Sequence, residues 1–193
     1  MTENRPFLPV SICRGRTDNS HMIKCIILSS FLFTLFLLPV TLGASGDART
    51  LNFYHTHTEK NLEVTYYEDG AYVEAGMNQL RTFLADWRNG QEKDMDPELM
   101  DILWQVQLKG RHRDTYEVIS AYRSPETNQL LRSRSSGVAK NSQHVPGKAI
   151  DVRLRGMDTT RLRDIALDLQ LGGVGFYRKS DFVHVDTGRV RRW

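Results

Sequence analysis

Residues 44–193 predict an α+β domain in which helices flank an antiparallel sheet, and three observations carry the prediction. Alternating β-rich runs open and close the segment, apolar stripes of period 3.6 lie between them, and turn chemistry separates the two patterns. The whole chain has 193 residues, 40% hydrophobic and 25% charged, which suits one globular domain and excludes both disorder and a many-domain assembly.

Two β-rich runs, 51–56 and 62–67, flank the polar stretch Thr58-Glu59-Lys60-Asn61, and Asp69-Gly70 offers a second turn, so the domain opens as a β-meander. Leu80, Phe83, Leu84 and Trp87 then recur at i, i+3, i+4, i+7 and predict a helix. Leu99, Ile102, Leu103 and Val106 repeat the spacing behind Asp96-Pro97, an N-cap and a first-turn proline. In residues 115–122, Tyr116, Val118, Ser120 and Tyr122 alternate with Glu117, Ile119 and Ala121; this strand ends at Ser124-Pro125, which caps a helix to about residue 134. In residues 148–154, Ile150, Val152 and Leu154 take one face while Ala149, Asp151 and Arg153 take the other. Leu162, Ile165, Ala166 and Leu169 mark a last helix, stopped by Gly172-Gly173, before closing strands at 174–177 and 182–186.

Residues 1–43 read differently. Lys24 precedes an apolar core, 25–38, broken only by Ser29, Ser30 and Thr34; Pro39 ends it, and small residues follow at 41–45. This is the layout of a secretory signal peptide, and the core is short of the about 20 residues a spanning helix needs. Cleavage after Gly43 frees an exported, periplasmic domain, 44–193; an uncleaved membrane anchor is the alternative. Met22 offers a second start within this N-terminal extension. No adjacent arginine pair precedes the core, and Cys25 opens it instead of closing it, which argues against twin-arginine export and lipid attachment.

The leader carries Arg5, Arg14, Arg16 and Lys24 with Glu3 and Asp18, so of 26 basic and 23 acidic residues the domain keeps 22 and 21. A near-neutral exported domain has no electrostatic basis for binding nucleic acid. Both cysteines, Cys13 and Cys25, leave with the leader, which excludes a disulfide and a thiol nucleophile. Nothing in the sequence sets an oligomeric state.

The chemistry-bearing stretch is Ser142-Gln143-His144-Val145-Pro146-Gly147-Lys148-Ala149-Ile150-Asp151, followed by Asp181-Phe182-Val183-His184-Val185-Asp186. A hydrolytic zinc takes three nitrogen or carboxylate ligands and keeps one open position for water. His144 sits at a loop end, Pro146-Gly147 turns the chain, and Asp151 returns on the polar face of a strand whose Ala149 leaves room. His184 and Asp186 share a strand face, so antiparallel pairing sets His184 beside Asp151.

This arrangement, S-x-H-x-x-G-x-A-x-D then D-x-x-H, with Tyr122-Arg123-Ser124 upstream, resembles the LAS metallopeptidases, which include D-Ala-D-Ala carboxypeptidases and dipeptidases. Gly172-Gly173-Val174-Gly175-Phe176-Tyr177 and residues 182–188 resemble, within them, the YcbK-like (MepK-like) murein endopeptidases, over roughly residues 50–193. The resemblance implies the LAS zinc peptidase fold shared with hedgehog and D-Ala-D-Ala peptidase domains. It implies Zn²⁺ held by His144, Asp151 and His184, and hydrolysis of peptidoglycan stem-peptide crosslinks. Asp181, three before the last histidine, is the first candidate base, although a regular strand turns it away from His184. Asp186 is its rival, as base or as the group orienting a ligand histidine. Arg123 is expected to bind the carbonyl oxygen as it becomes an oxyanion, and Ser142 and Gln143 to contact substrate or shape the loop.

Three further readings complete the sequence. His55-x-His57 reads as a pair of exposed strand histidines, with no third ligand nearby. Trp87, Trp104 and Trp193 read as core or edge packing, with a sugar-stacking place near a cleft as the alternative for Trp193. A basic rim of Arg132, Arg134, Lys140, Arg153, Arg155, Arg189, Arg191 and Arg192 is expected to meet stem-peptide carboxylates. The rival functions are a D-Ala-D-Ala carboxypeptidase or dipeptidase, and a catalytically silent zinc-containing domain that binds peptidoglycan.

Overall fold

Alternating side chains in residues 49–55 bury Leu51, Phe53 and His55 on one side of the first strand, and a sheet grows on both of its edges. The computed structural model describes residues 47–135 and 137–193; the leader, its apolar core 25–38 and the boundary at residue 43 lie outside them. Eight strands, β1 (Arg49–His55), β2 (Asn61–Glu68), β3 (Ala71–Tyr72), β4 (Tyr116–Ser120), β5 (Ala149–Leu154), β6 (Gly173–Tyr177), β7 (Phe182–Asp186) and β8 (Arg191–Arg192), join in the order β3-β2-β1-β4-β5-β7-β6-β8. The helices are α1 (Glu74–Phe83), α2 (Pro97–Gly110), α3 (Pro125–Arg134) and α4 (Thr159–Leu169).

The sheet is mixed, which corrects the expectation of a purely antiparallel one. β1 pairs with β4 in parallel and β6 with β8 in parallel; the other pairings are antiparallel. Between β1 and β4 the chain makes a hairpin and two helices, a connection long enough to return the strand in the same direction. Residues 187–190 wrap the start of β6, so β8 leaves in the direction of β6.

Phe53, Tyr116, Val118, Ile150, Val152, Val183 and Val185 form the core face, each at most 1% exposed. Helix α2 packs there, and the buried Tyr116 hydroxyl donates to Leu103 O at 2.8 Å. The caps match the sequence: Asp96 accepts from Glu98 N, and Ser124 Oγ accepts from Thr127 N at 3.1 Å. Helix α4 closes at Gln170 in the left-handed region (φ 54), before the Gly172-Gly173 pair expected to stop it. Gly172 serves the sheet instead, since a Cβ there would collide with the Asp186 carbonyl oxygen.

Helix α1 ends at Phe83, one turn short of the apolar stripe that reaches Trp87. The segment beyond it is held by other partners: Tyr122 N donates to Leu84 O, and Ser124 N to the fully buried Asp86 carboxylate at 3.0 Å. Residues 84–86 thus clamp the backbone on both sides of Arg123.

The reading of His55 and His57 as an exposed pair is corrected for His55 alone, since His57 is exposed. His55 is 1% exposed, edge-on to Phe83, whereas His57 lies in the following turn and stacks on Trp87 at 4.0 Å. His55 Nδ1 accepts from His57 N, so the neutral ring carries its proton on Nε2, which has no hydrogen-bond partner among the described residues. Burial, and then the neighbouring His57, lower its pKa from 6.5 to about 4. The folded value lies below the unfolded one, so the unfolded chain gains a proton first, and stability present above pH 6.5 is lost as pH falls toward 4. The melting temperature should therefore drop between pH 6.5 and 4, and His55→Phe should flatten part of that drop in parallel thermal scans. An identical pH slope in the variant would exclude His55 as its source.

Candidate metal centre

Three of the sequence-predicted residues converge on the face of the sheet opposite the core. Asp151 on β5 pairs directly with His184 on β7, the antiparallel register expected from their strand positions. His144 reaches them from the loop before β5, which is pinned by its backbone: Arg123 N and Gly147 N both donate to His144 O, and Lys148 N to Gln143 O. Gly147 makes the loop possible, with φ 77 and no room for a Cβ, which would stand 2.4 Å from Asp94 O.

His184 Nδ1 lies 2.8 Å from Asp151 Oδ1 and 3.2 Å from His144 Nε2, and His144 Nε2 lies 3.3 Å from the same carboxylate oxygen. All three side chains are buried. The outer nitrogen of each ring is already committed. His144 Nδ1 donates to Ala121 O at 2.6 Å, and His184 Nε2 donates to Asp186 Oδ2 at 3.0 Å. Those bonds place the ring protons outside and leave two nitrogen lone pairs and a carboxylate oxygen facing one another. Three acceptors with no donor between them suit a cation, and the donor set of imidazole and carboxylate suits a divalent transition metal.

The electrostatics agree for His144 and Asp151, whereas His184, which burial alone would lower, is raised by Asp151 and Asp186, so that a metal would have to displace its proton. Burial lowers the pKa of His144 and favours the neutral ring a metal requires. Burial alone would raise Asp151, but His144, and then His184, hold its carboxyl below the usual carboxylate range. Asp186 is fully buried, and despite that burial His184, Arg191 and the backbone of Gly188 hold it ionised.

The site opens into a cleft of about 460 Å³, lined by Arg123, Ser142, Gln143, Tyr177, Phe182, Arg191 and Trp193 with His144, Asp151 and His184. Arg123 is packed so that its Nε is buried without a partner, and NH1 has one long contact, 3.5 Å, to Asn128 Oδ1. Ser142 Oγ accepts from His144 N at 3.4 Å, which shapes the loop, and Gln143 stands at the cleft wall.

The two candidate bases are placed elsewhere. Asp181 does not line the cleft: the chain does bend there (φ 52), but the bend delivers its Oδ1 to the Thr159 hydroxyl and its Oδ2 to Arg153 at 3.5 Å. Asp186 stands behind His184 with both oxygens engaged. Oδ1 accepts from Gly188 N, Gly173 N and Arg191, and Oδ2 from His184 and Arg191. The basic rim is corrected in part, because Arg153 and Arg155 pair with Glu117 and Arg191 with Asp186. Sequence reasoning missed Tyr177 and favoured packing for Trp193 over a place at the cleft, yet both form a wall of the cleft. The signal available for Tyr177 was the aromatic pair Phe176-Tyr177 that ends the glycine-rich strand β6.

A triad of two histidines and a carboxylate, buried beside an open cleft on an α+β sheet, could hold a metal ion as the centres of metal-dependent hydrolases do. The chain belongs to the Peptidase_M15_2 family, described as peptidoglycan L,D-endopeptidase MepK, and the match covers residues 43–193. Its similar relatives include the peptidoglycan L,D-endopeptidase MepK of Escherichia coli K12, 38% identical over 173 residues, or 88% of this chain and 95% of the relative. The "Probable peptidoglycan L,D-endopeptidase MepK" of Haemophilus influenzae is 35% identical over 174 residues, 88% of this chain and 94% of that protein. No solved structure matches the chain significantly.

Proposed function

We propose that this protein is an exported, zinc-dependent murein endopeptidase of the periplasm, which hydrolyses peptide crosslinks of peptidoglycan during wall remodelling. Links between two diaminopimelate residues are its first substrate and D-Ala-diaminopimelate links its second. The observation that carries the reading is the set of three inward-facing acceptors, His144 Nε2, Asp151 Oδ1 and His184 Nδ1, fixed by outer hydrogen bonds and open to a cleft. These residues hold the zinc. When bound, zinc polarises the scissile carbonyl and lowers the pKa of water to about 7.

The chain supplies the rest. Ala121 O and Asp186 set the tautomers of the two ligand histidines, and Arg191 keeps Asp186 in place with two bonds, at 2.9 and 2.6 Å. Asp186 is thus an orienting carboxylate, since neither oxygen is free to take a proton from the cleft. Arg123 offers unspent N–H donors to the carbonyl oxygen as it gains charge, and Ser142 and Gln143 border the bound peptide. Members of the family whose printed name is L,D-endopeptidase support cleavage within a crosslink over trimming of a terminus.

The test is incubation of the purified protein, with and without chelator, on defined crosslinked muropeptides and monomers, with products separated by mass. Chelator-sensitive conversion of dimers to monomers is expected. Release of a terminal D-Ala alone would make it a carboxypeptidase, and no cleavage by a folded, zinc-loaded protein would make it a binding domain.

A further inference from the structure

Two aromatic side chains stand beside the metal ligands with polar ends that the chemistry above does not use. Trp193 lies flat over β6 because residue 175 is glycine: a Cβ there would stand 2.6 Å from the indole ring. Gly175 pairs with His184 across β6 and β7, so the indole is laid next to a metal ligand, with ring centroids 5.2 Å apart. Its backbone is tied on both sides, Trp193 N donating to Val174 O and Phe176 N to Trp193 O. The Arg191 guanidinium covers the ring at 4.9 Å.

The held indole has one polar atom, Nε1, which only donates, and it donates to the Tyr177 hydroxyl oxygen at 3.1 Å. The phenol oxygen therefore spends an acceptor site on Trp193, and its own proton is left for a different partner. The Tyr177 ring is fixed by stacking on Phe182, its register neighbour, at 4.5 Å and 16°. Tyr177 borders the same cleft as His144, Asp151, His184 and Arg123. Asp181 and Asp186 are both engaged elsewhere; on this wall the Tyr177 hydroxyl donates to no protein acceptor among the described residues, and Arg123 has only its long contact to Asn128.

We propose that Tyr177 is a catalytic hydrogen-bond donor, whose phenol proton meets the carbonyl oxygen of the scissile amide and, together with Arg123, holds the charge that oxygen gains. The proposal rests on the endopeptidase reading. No covalent bond forms or breaks at Tyr177, and the proton stays on its oxygen throughout. Gly175 and Trp193 are positioning residues, since they act through the phenol. Bonds that strengthen only as charge develops raise kcat and leave KM alone.

The test compares the full-length, zinc-loaded protein with Tyr177→Phe and Trp193→Phe on crosslinked muropeptides, with zinc content and melting temperature measured on each. Tyr177→Phe keeps the stacked ring and removes the donor. Its kcat should fall about 100-fold, in the range seen when one oxyanion donor is lost, with KM within about twofold and zinc unchanged. Trp193→Phe, which frees the phenol to rotate, should lower kcat about 10-fold. In an Arg123→Lys background the Tyr177→Phe loss should be smaller than in wild type, because both donors serve one oxygen. A Tyr177→Phe protein with wild-type kcat, or with only a raised KM, would overturn the assignment while leaving the endopeptidase reading intact. A wild-type protein that leaves dimers uncut would sink both.

Discussion

His144→Ala is expected to fold yet lose its metal, and with it more than about 100-fold of activity, beyond the 10- to 100-fold in affinity or activity that loss of an orienting partner alone costs. The loop around residue 144 is held by backbone bonds, from Arg123 N and Gly147 N to His144 O and from Lys148 N to Gln143 O, and truncation of the imidazole leaves these in place. What disappears is one of three donors, and the remaining pair, Asp151 with His184, is a poor cage for a tetrahedral ion. The decisive reading does not need substrate. A ligand that binds only the folded state stabilises it by about 4 kcal/mol at a thousand times its dissociation constant. Zinc should therefore raise the melting temperature of the chelator-stripped wild type by several degrees and that of His144→Ala hardly at all. A variant that retains one zinc per chain, with the same thermal shift, would remove His144 from the centre.

The convergence of His144, Asp151 and His184 was legible because two of the three stand on regular strands. Strand alternation put Asp151 opposite Ile150 and Val152, and His184 between Val183 and Val185, so one antiparallel register was enough to bring the two together. The caps at Asp96 and Ser124 were legible for a similar reason, since their partners lie two or three residues away. Asp181 fails where alternation fails. Its positive φ breaks the strand, and its carboxylate is taken by Thr159, a residue 22 positions earlier that no local pattern connects to it. The parallel pairing of β1 with β4 is likewise a matter of topology, decided by the hairpin and two helices that return the chain beside β1. Asp86 lies beyond the end of α1 at Phe83, and only the fold shows it buried under Ser124 N. The tail residue Trp193 shows no periodicity at all, and its place depends on an absent Cβ at Gly175.

Arg123→Ala should reduce kcat/KM by about 100- to 1,000-fold while leaving the protein at least as stable, a pairing of effects that separates a working cation from a structural one. Burial lowers the Arg123 pKa, yet an arginine side chain stays charged in a protein, so the fold carries a partly desolvated guanidinium. Among the described residues it makes no salt bridge, its Nε has no partner, and its contact to Asn128 is long. A cation that has lost water and gained so little in exchange weakens the folded state. Its backbone, by contrast, is heavily braced: Tyr122 N is bound to Leu84 O, Arg123 N to His144 O, and Ser124 N to Asp86. Rigid support for an unsatisfied charge is what preorganised stabilisation of a developing oxyanion requires, because the donors must already be in place when charge appears. Arg123→Lys keeps the charge but not the planar fork, so it should recover only part of the loss. Steady-state kinetics on crosslinked muropeptides beside thermal scans would decide the point. If Arg123→Ala lowered the melting temperature by several degrees and changed kcat/KM by less than about fivefold, the residue would be a brace for the strand end and the oxyanion role would fall.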